Sequence, residues 1–267
     1  MVRGGRSVRI GPLHPVKIRI GGVPYGVGAP LLAGLDSDPA VALLQAPPTT
    51  LIAALRDGQL DAALVSSIEA VRQPGYRVAK GLGIACKREI RSVRAFRRRG
   101  APIRTVGLDQ GSATSVALLR LLLARVHAAE VASDVQFTTI APMREPATSP
   151  HDLVLLIGDH GLDADPGDRE VWDLGAEWVR WTGLPFVFAL WLLAGQADAD
   201  RVLPPLHAAR ARGRQLGPVD GTHGAAHYDL DADDERGVQR FWHEARALQL
   251  ATTPAPLFVT RSPQAPR

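Results

Sequence analysis

Gly111-Ser112-Ala113-Thr114-Ser115-Val116-Ala117-Leu118-Leu119-Arg120-Leu121-Leu122-Leu123 sets a glycine and three hydroxyl residues directly ahead of an apolar run. That pattern is a helix start. Ser112 is the natural N-cap, and the first-turn N–H groups, which lack intrahelical acceptors, point out of the helix end with the neighbouring hydroxyls. Two readings of this junction stand side by side. It is an ordinary cap, or it is a cradle for a small anion, since free N–H groups and the helix dipole both favour negative charge there.

Around this junction the alternation of strands and helices is regular. Thr105 to Leu108 predicts a short strand before it, and the helix runs to about Ala129. Val135 to Ile140 and Asp152 to Ile157 predict further strands. Upstream, Val16 to Val23 is a β-branched strand feeding the glycine-rich stretch Pro24 to Pro30. Val41 to Gln45 gives a second strand, Leu51 to Leu60 a helix ended near Gly58, and Asp61 to Val65 a third strand. Both halves of the chain are therefore α/β.

The chain has 267 residues, 46% of them hydrophobic, which is enough to bury two lobes. Lys+Arg 31 against Asp+Glu 27 leaves a formal charge of only +4, so nucleic acid is not implied. The densest basic run, Lys87 to Arg99, has no interleaved aromatics to stack on bases and reads as solvated strand and loop. One cysteine, Cys86, excludes an internal disulfide and fits a reducing compartment. Met1 to Pro15 lacks the apolar core of a signal peptide and reads as a loose extension. Leu184 to Ala194 is too short to span a membrane. A cytoplasmic protein follows as the expectation.

Several side chains fall at strand ends, where open α/β sheets bind ligands. Ser66, Ser67 and Glu69 follow the third strand, as ligand contacts or as a cap. Asp159, beside Gly158 and Gly161, can hold a substrate hydroxyl or simply make a turn. Trp172, Trp178 and Trp181 line a pocket or pack a core. His223 and His227 lack a third ligand, so no metal site is expected. Asp233 is expected to cap a helix over 237–248.

Taken together, Asp61 to Glu69, Ser112 to Leu119, Asp152 to Asp159, Asp173 to Trp178 and Thr182 to Trp191 resemble chorismate dehydratases of the futalosine route to menaquinone, over roughly Ile18 to Leu250. The resemblance implies an α/β, two-lobed type II periplasmic-binding-protein-like fold with a ligand cleft between the lobes. Lobe 1 would comprise residues 16–97 plus 191–267, lobe 2 residues 98–190, and residues 1–15 the extension. It also implies a hydro-lyase that converts chorismate to 3-[(1-carboxyvinyl)oxy]benzoate without metal or organic cofactor. Ser66, Ser67, Ser112, Thr114 and Ser115 would hold carboxylates, and Asp159 would lie near the leaving hydroxyl. Chorismate or a related carboxylate would be the small-molecule partner, with neither nucleic acid nor membrane involved; the oligomeric state is left open.

The resemblance also contains a departure. Relatives read Tyr-Leu-Asn after the first strand, whereas this chain has Tyr25-Gly26-Val27, and a family serine near the end of the Gly83 to Lys87 strand is replaced by Cys86. Tyr25 and Val27 are thus expected at the substrate, with Cys86 in the catalytic set. Val27 forms no side-chain hydrogen bond. Either other polar groups rebuild the site, or the chain is a re-purposed carboxylate-binding paralogue.

Overall fold

The computed structural model describes residues 16–216 and 226–262. Residues 1–15 and His223 lie outside that range. In chain order the elements are β1 (Ile18–Gly22), α1 (Ala29–Leu32), β2 (Val41–Gln45), α2 (Pro48–Arg56), β3 (Ala62–Ser66), β4 (Arg77–Cys86), β5 (Val93–Arg97), β6 (Ile103–Leu108) and α3 (Ala113–Arg125). They continue with β7 (Val131–Thr139), β8 (Leu153–Ile157), α4 (Asp159–Asp163), β9 (Glu170–Asp173), α5 (Leu174–Thr182), β10 (Phe186–Leu193), α6 (Ala199–Gln215), β11 (Ala226–Asp229), α7 (Ala232–Ala247) and β12 (Leu257–Val259).

The strands form two sheets. The first runs β11-β4-β10-β3-β1-β2, with β12 beside the first part of β4; the second runs β7-β6-β8-β5-β9. Each sheet contains one strand that arrives from the other side of the molecule and lies antiparallel to its neighbours. β10 is inserted between β3 and β4, and β5 between β8 and β9. This is the two-lobed α/β arrangement expected from the sequence.

The crossings differ in detail from the expected boundaries at 97/98 and 190/191. β5 pairs with the second sheet and β10 with the first, so the chain crosses at 87–92 and returns at 183–185. Buried backbone groups have to be paired, and β5 and β10 each find their partners in the sheet on the far side of the crossing. Asp173, the N-cap of α5, clamps the outward crossing by accepting the N–H groups of Ile90 and Arg91.

Charges that looked solvated on paper are largely tied down. Arg94 donates to the carbonyls of Gly161 and Leu162, Arg97 pairs with Glu130 and Glu170, and Arg98 pairs with Asp152. α7 starts earlier than expected. Asp231, two residues ahead of the expected Asp233, is its N-cap, in a reciprocal capping box with Asp234. The tryptophans resolve to core: Trp178 is fully buried against Phe186 and Phe241, and its indole donates to Pro185 O at 3.1 Å. Among the described residues no helix is long and apolar enough to cross a membrane.

His127 closes the bottom of the second lobe. Its ring stacks on Trp172 at 3.9 Å, with Nδ1 3.0 Å from Glu130 and Nε2 3.3 Å from Glu177. Arg97 pairs with Glu130 and lies over Trp172, and Arg180 pairs with Glu177. Burial alone would lower the imidazole pKa, but the bonds to Glu177 and Glu130 outweigh it and raise it. A raised folded-state pKa means that this contribution is complete below the unfolded value of about 6.5 and is lost as pH rises through the folded value. Urea midpoints measured from pH 6 to 9 should therefore show wild-type stability falling relative to His127→Phe, which keeps the stacking but has no titration; a pH-independent difference would contradict this.

Candidate functional site

Between the sheets lies a cavity of about 330 Å³. Its walls are mostly apolar, with Val23, Leu64, Ile84, Val93, Ile157 and Phe188 among them. The polar atoms gather where β3, β6, β8 and the start of α3 meet. Ser66, Ser112, Ser115, Asp109, Ser92 and Asp159 all line it. Neither Lys nor Arg is among the described residues of the lining.

The junction that opened the sequence reading does two jobs. Ser112 is the N-cap of α3, and its Oγ accepts the Ser115 N–H at 3.3 Å. The Ala113 and Thr114 N–H groups have no intrahelical partner by position. Ser115 is fully buried, lines the cavity, and its Oγ has no hydrogen-bond partner. A buried hydroxyl without a partner costs free energy, and a ligand acceptor in the cavity removes that cost.

Thr114 and Ser67 turn away from the cavity and join the lobes. Ile68 N–H donates to Thr114 Oγ1 at 3.1 Å, the two hydroxyls lie 3.3 Å apart, and Ser67 Oγ donates to Val187 O at 2.7 Å. Each hydroxyl has one proton, so the Thr114 proton goes to Ser67 and the Ser67 proton to Val187. Both residues are fully buried. The expectation that they bind a carboxylate is thus corrected: their hydroxyls are used up in a relay between lobes. Successive helical residues point about 100° apart, which is why Ser115 faces the cavity and Thr114 does not.

Cys86 is corrected as well. It is fully buried and absent from the lining; a β-carbon added at Gly175 would lie 2.6 Å from its Sγ, so the thiol packs against the first turn of α5. Burial, reinforced by Asp173, pushes the thiol pKa far up, and an un-ionised buried thiol is a poor nucleophile or base. Glu69 is structural too, held by Nε and Nη2 of Arg56 at 2.9 and 2.8 Å and by the Tyr76 hydroxyl at 3.2 Å. Burial and the Glu69 charge raise the Tyr76 pKa to about 12.

Tyr25 and Val27 line the cavity near its mouth, Tyr25 being 45% exposed. Asp159 begins α4 opposite them, after Gly158 at φ 67, a left-handed conformation that glycine adopts without strain. His160 also lines the cavity and is exposed.

Two lining residues escaped the sequence reading. Asp109 is 3% exposed, and its carboxylate accepts Gly111 N–H at 2.8 Å and Ile157 N–H at 3.1 Å, pinning the α3 junction to the end of β8. An Asp two residues before Gly is an Asx-turn signal that could have found it. Ser92 lies in the outward crossing, and its carbonyl accepts Gly158 N–H at 2.7 Å. On this side the cavity hydroxyl is that of Ser92, where Cys86 was expected. The aromatic side chains of Trp172, Trp178 and Trp181 are not in the lining, and among the described residues no group of three or more His, Cys, Asp or Glu could hold a metal.

Comparison with known proteins adds to this geometry. The family described as menaquinone biosynthesis matches residues 18–220. A chorismate dehydratase from Thermus thermophilus is 29% identical over 248 residues, covering 79% of this chain and 88% of that protein. The periplasmic aliphatic sulphonate binding protein SsuA from Escherichia coli shares the fold with a TM-score of 0.58 at 15% identity, over 95% of this chain and 97% of its own. An ABC transporter structure from Parabacteroides distasonis aligns with a TM-score of 0.57 at 12% identity, over 92% and 100% of the two chains.

Two outcomes follow from the corrected residues. Thr114→Val strands the buried Ile68 N–H and should cost about 1–3 kcal/mol in urea unfolding; an unchanged midpoint would refute the relay. A thiol reagent such as dithionitrobenzoate should leave Cys86 unmodified in the native protein and label it fully in denaturant, whereas rapid native labelling would place the thiol in the cavity after all.

Proposed function

This chain belongs to the menaquinone-biosynthesis family, and from that membership we propose that it is a hydro-lyase that removes water from chorismate to give 3-[(1-carboxyvinyl)oxy]benzoate. The observation that carries the reading is the unpartnered, buried Ser115 hydroxyl beside the open N-terminus of α3. A substrate carboxylate fits there. It accepts from Ser115 and from the free first-turn N–H groups, with Ser66 across from it on the other lobe.

The apolar wall of Val23, Leu64, Ile84 and Phe188 suits a carbocyclic ring, and excludes water from it. The reaction breaks the C–H bond at the ether-bearing ring carbon and the C–O bond of the adjacent hydroxyl. The released electron pair completes the aromatic ring, and proton and hydroxide depart together as one water. Aromatisation supplies the driving force, so the protein chiefly holds the ring and assists the leaving oxygen. In this reading the second substrate carboxylate takes the ring proton and hands it to the hydroxyl departing on the side of Asp159, so that one water leaves, while Tyr25 covers the mouth.

A second reading rests on Val27. It lines the cavity where the family resemblance implies asparagine, and it offers no hydrogen bond, so the chain would bind a small carboxylate without turnover. Incubation with chorismate separates the two: appearance of the aromatic enol ether by mass spectrometry supports the lyase, while binding by calorimetry with no product supports the binding protein, and Val27→Asn should then create activity.

Ser115→Ala tests the cradle. Its hydroxyl makes no bond within the protein, so the thermal midpoint should hold or rise, while KM rises about tenfold with kcat little changed, the loss of about one charge-assisted hydrogen bond. A KM equal to that of the wild type would remove Ser115 from substrate binding.

A further inference from the structure

A second cavity, of about 420 Å³, lies beside α3 and is lined from both lobes. Arg72 and Gln249 come from the body of the first sheet, and Gln110, Arg120, Phe137 and Thr139 from the second. It shares no lining residue with the first cavity.

Its charge is unbalanced. Among the described residues neither Arg72 nor Arg120 has a carboxylate within 4.0 Å. The acid nearest to Arg72 in sequence, Glu69, is already held by Arg56 and Tyr76. The Arg72 Nε donates to Leu250 O at 3.4 Å, which orients the guanidinium and leaves its terminal nitrogens available. Arg120 lies over the Phe137 ring at 4.0 Å, so its flat face is covered and its N–H edge is the part left to bind. Burial lowers the pKa of both guanidinium groups, the mark of cations desolvated without full compensation.

The neutral groups agree with the cations. Gln249 follows the C-cap of α7 at φ 57, a left-handed position that usually takes glycine. A glutamine there accepts backbone strain, and it is one of the residues that line the cavity. Gln110 and Thr139 add further hydrogen-bonding side chains.

We propose that this cavity binds a small multivalent oxyanion, held between the lobes by the guanidinium groups of Arg72 and Arg120 with the Gln110, Thr139 and Gln249 side chains around it. Such a ligand ties the flank of α3 to the first lobe at a site separate from the α3 N-terminus, and so stabilises one arrangement of the lobes. Phosphate and polycarboxylate share the chemistry that two guanidinium forks recognise.

Isothermal calorimetry on the whole chain at constant ionic strength, with chloride as the balancing anion, tests it in two arms, inorganic phosphate and citrate. Saturable binding in either arm supports the site, and the arm that binds names the ligand class. Arg72→Gln and Arg120→Gln should each weaken it by about tenfold or more, the loss of a charge-assisted contact. Arg104→Gln, which removes a charge elsewhere on the surface, and Ser115→Ala, in the other cavity, should leave it unchanged. Arg120→Lys keeps the charge but not the fork, and should also bind more weakly while remaining folded. Absence of saturable binding in both arms, full affinity in the arginine variants, or loss in Ser115→Ala instead would overturn the proposal.

Discussion

The Thr114 hydroxyl is the point on which the arrangement of this molecule depends. It accepts the Ile68 N–H from the first lobe and gives its own proton to Ser67, which passes the next to Val187 O on β10. Four fully buried groups from the two lobes are thereby satisfied by one another, with no water needed. The residues on either side inherit their positions from this relay. Ser66 and Ser115 each sit one residue from a fastened neighbour and are thus turned into the cavity from opposite walls. A cleft between two lobes is only as well defined as the contact that sets their spacing, and here that contact adjoins the polar end of the cavity.

The crossing strands supply the larger frame for the same contact. Because β10 is threaded between β3 and β4 while β5 is threaded between β8 and β9, neither sheet is complete without chain that has come from the other. Asp173 and Asp109 then fix the loops by accepting two or more backbone N–H groups each. Both carboxylates act as local splints: Asp173 holds the outward crossing to α5, and Asp109 holds the start of α3 to the end of β8. Backbone donors that would otherwise point into a dry cleft are used in positioning it.

What could be read from the residues was local. Alternating apolar runs gave the strands, Ser112 gave the helix cap, and the strand-end hydroxyls gave the neighbourhood of the cavity. Which hydroxyl of each adjacent pair faces the cavity was not legible, because Ser66 and Ser67 differ only in the direction set by the turn after β3, and Thr114 and Ser115 only by one helical step. Cys86 occupies a strand end in sequence, yet the α5 start packs on its thiol, a contact made across 89 positions of chain that no local pattern encodes. The split of β5 and β10 between sheets was hidden for the same reason: a buried apolar strand has no mark that says which sheet it will join.

The absence of Lys and Arg from the described residues of the cavity lining has a chemical consequence. A guanidinium within about 4–6 Å of a bound carboxylate would lower its pKa by about 1–3, and with it the tendency to take a proton. In the proposed reading Ser66, Ser115 and the α3 N–H groups hold one substrate carboxylate by neutral dipoles, and hydrogen bonds of that kind keep it ionised. The arginines of the Lys87 to Arg99 run are meanwhile tied to carbonyls and carboxylates elsewhere, Arg94 to Gly161 and Leu162, Arg97 to Glu130 and Glu170. Under the proposed reading the carboxylate that takes the ring proton is the one outside this cradle, and among the described lining residues no cation stands beside it to hold it ionised, because the chain keeps its arginines elsewhere.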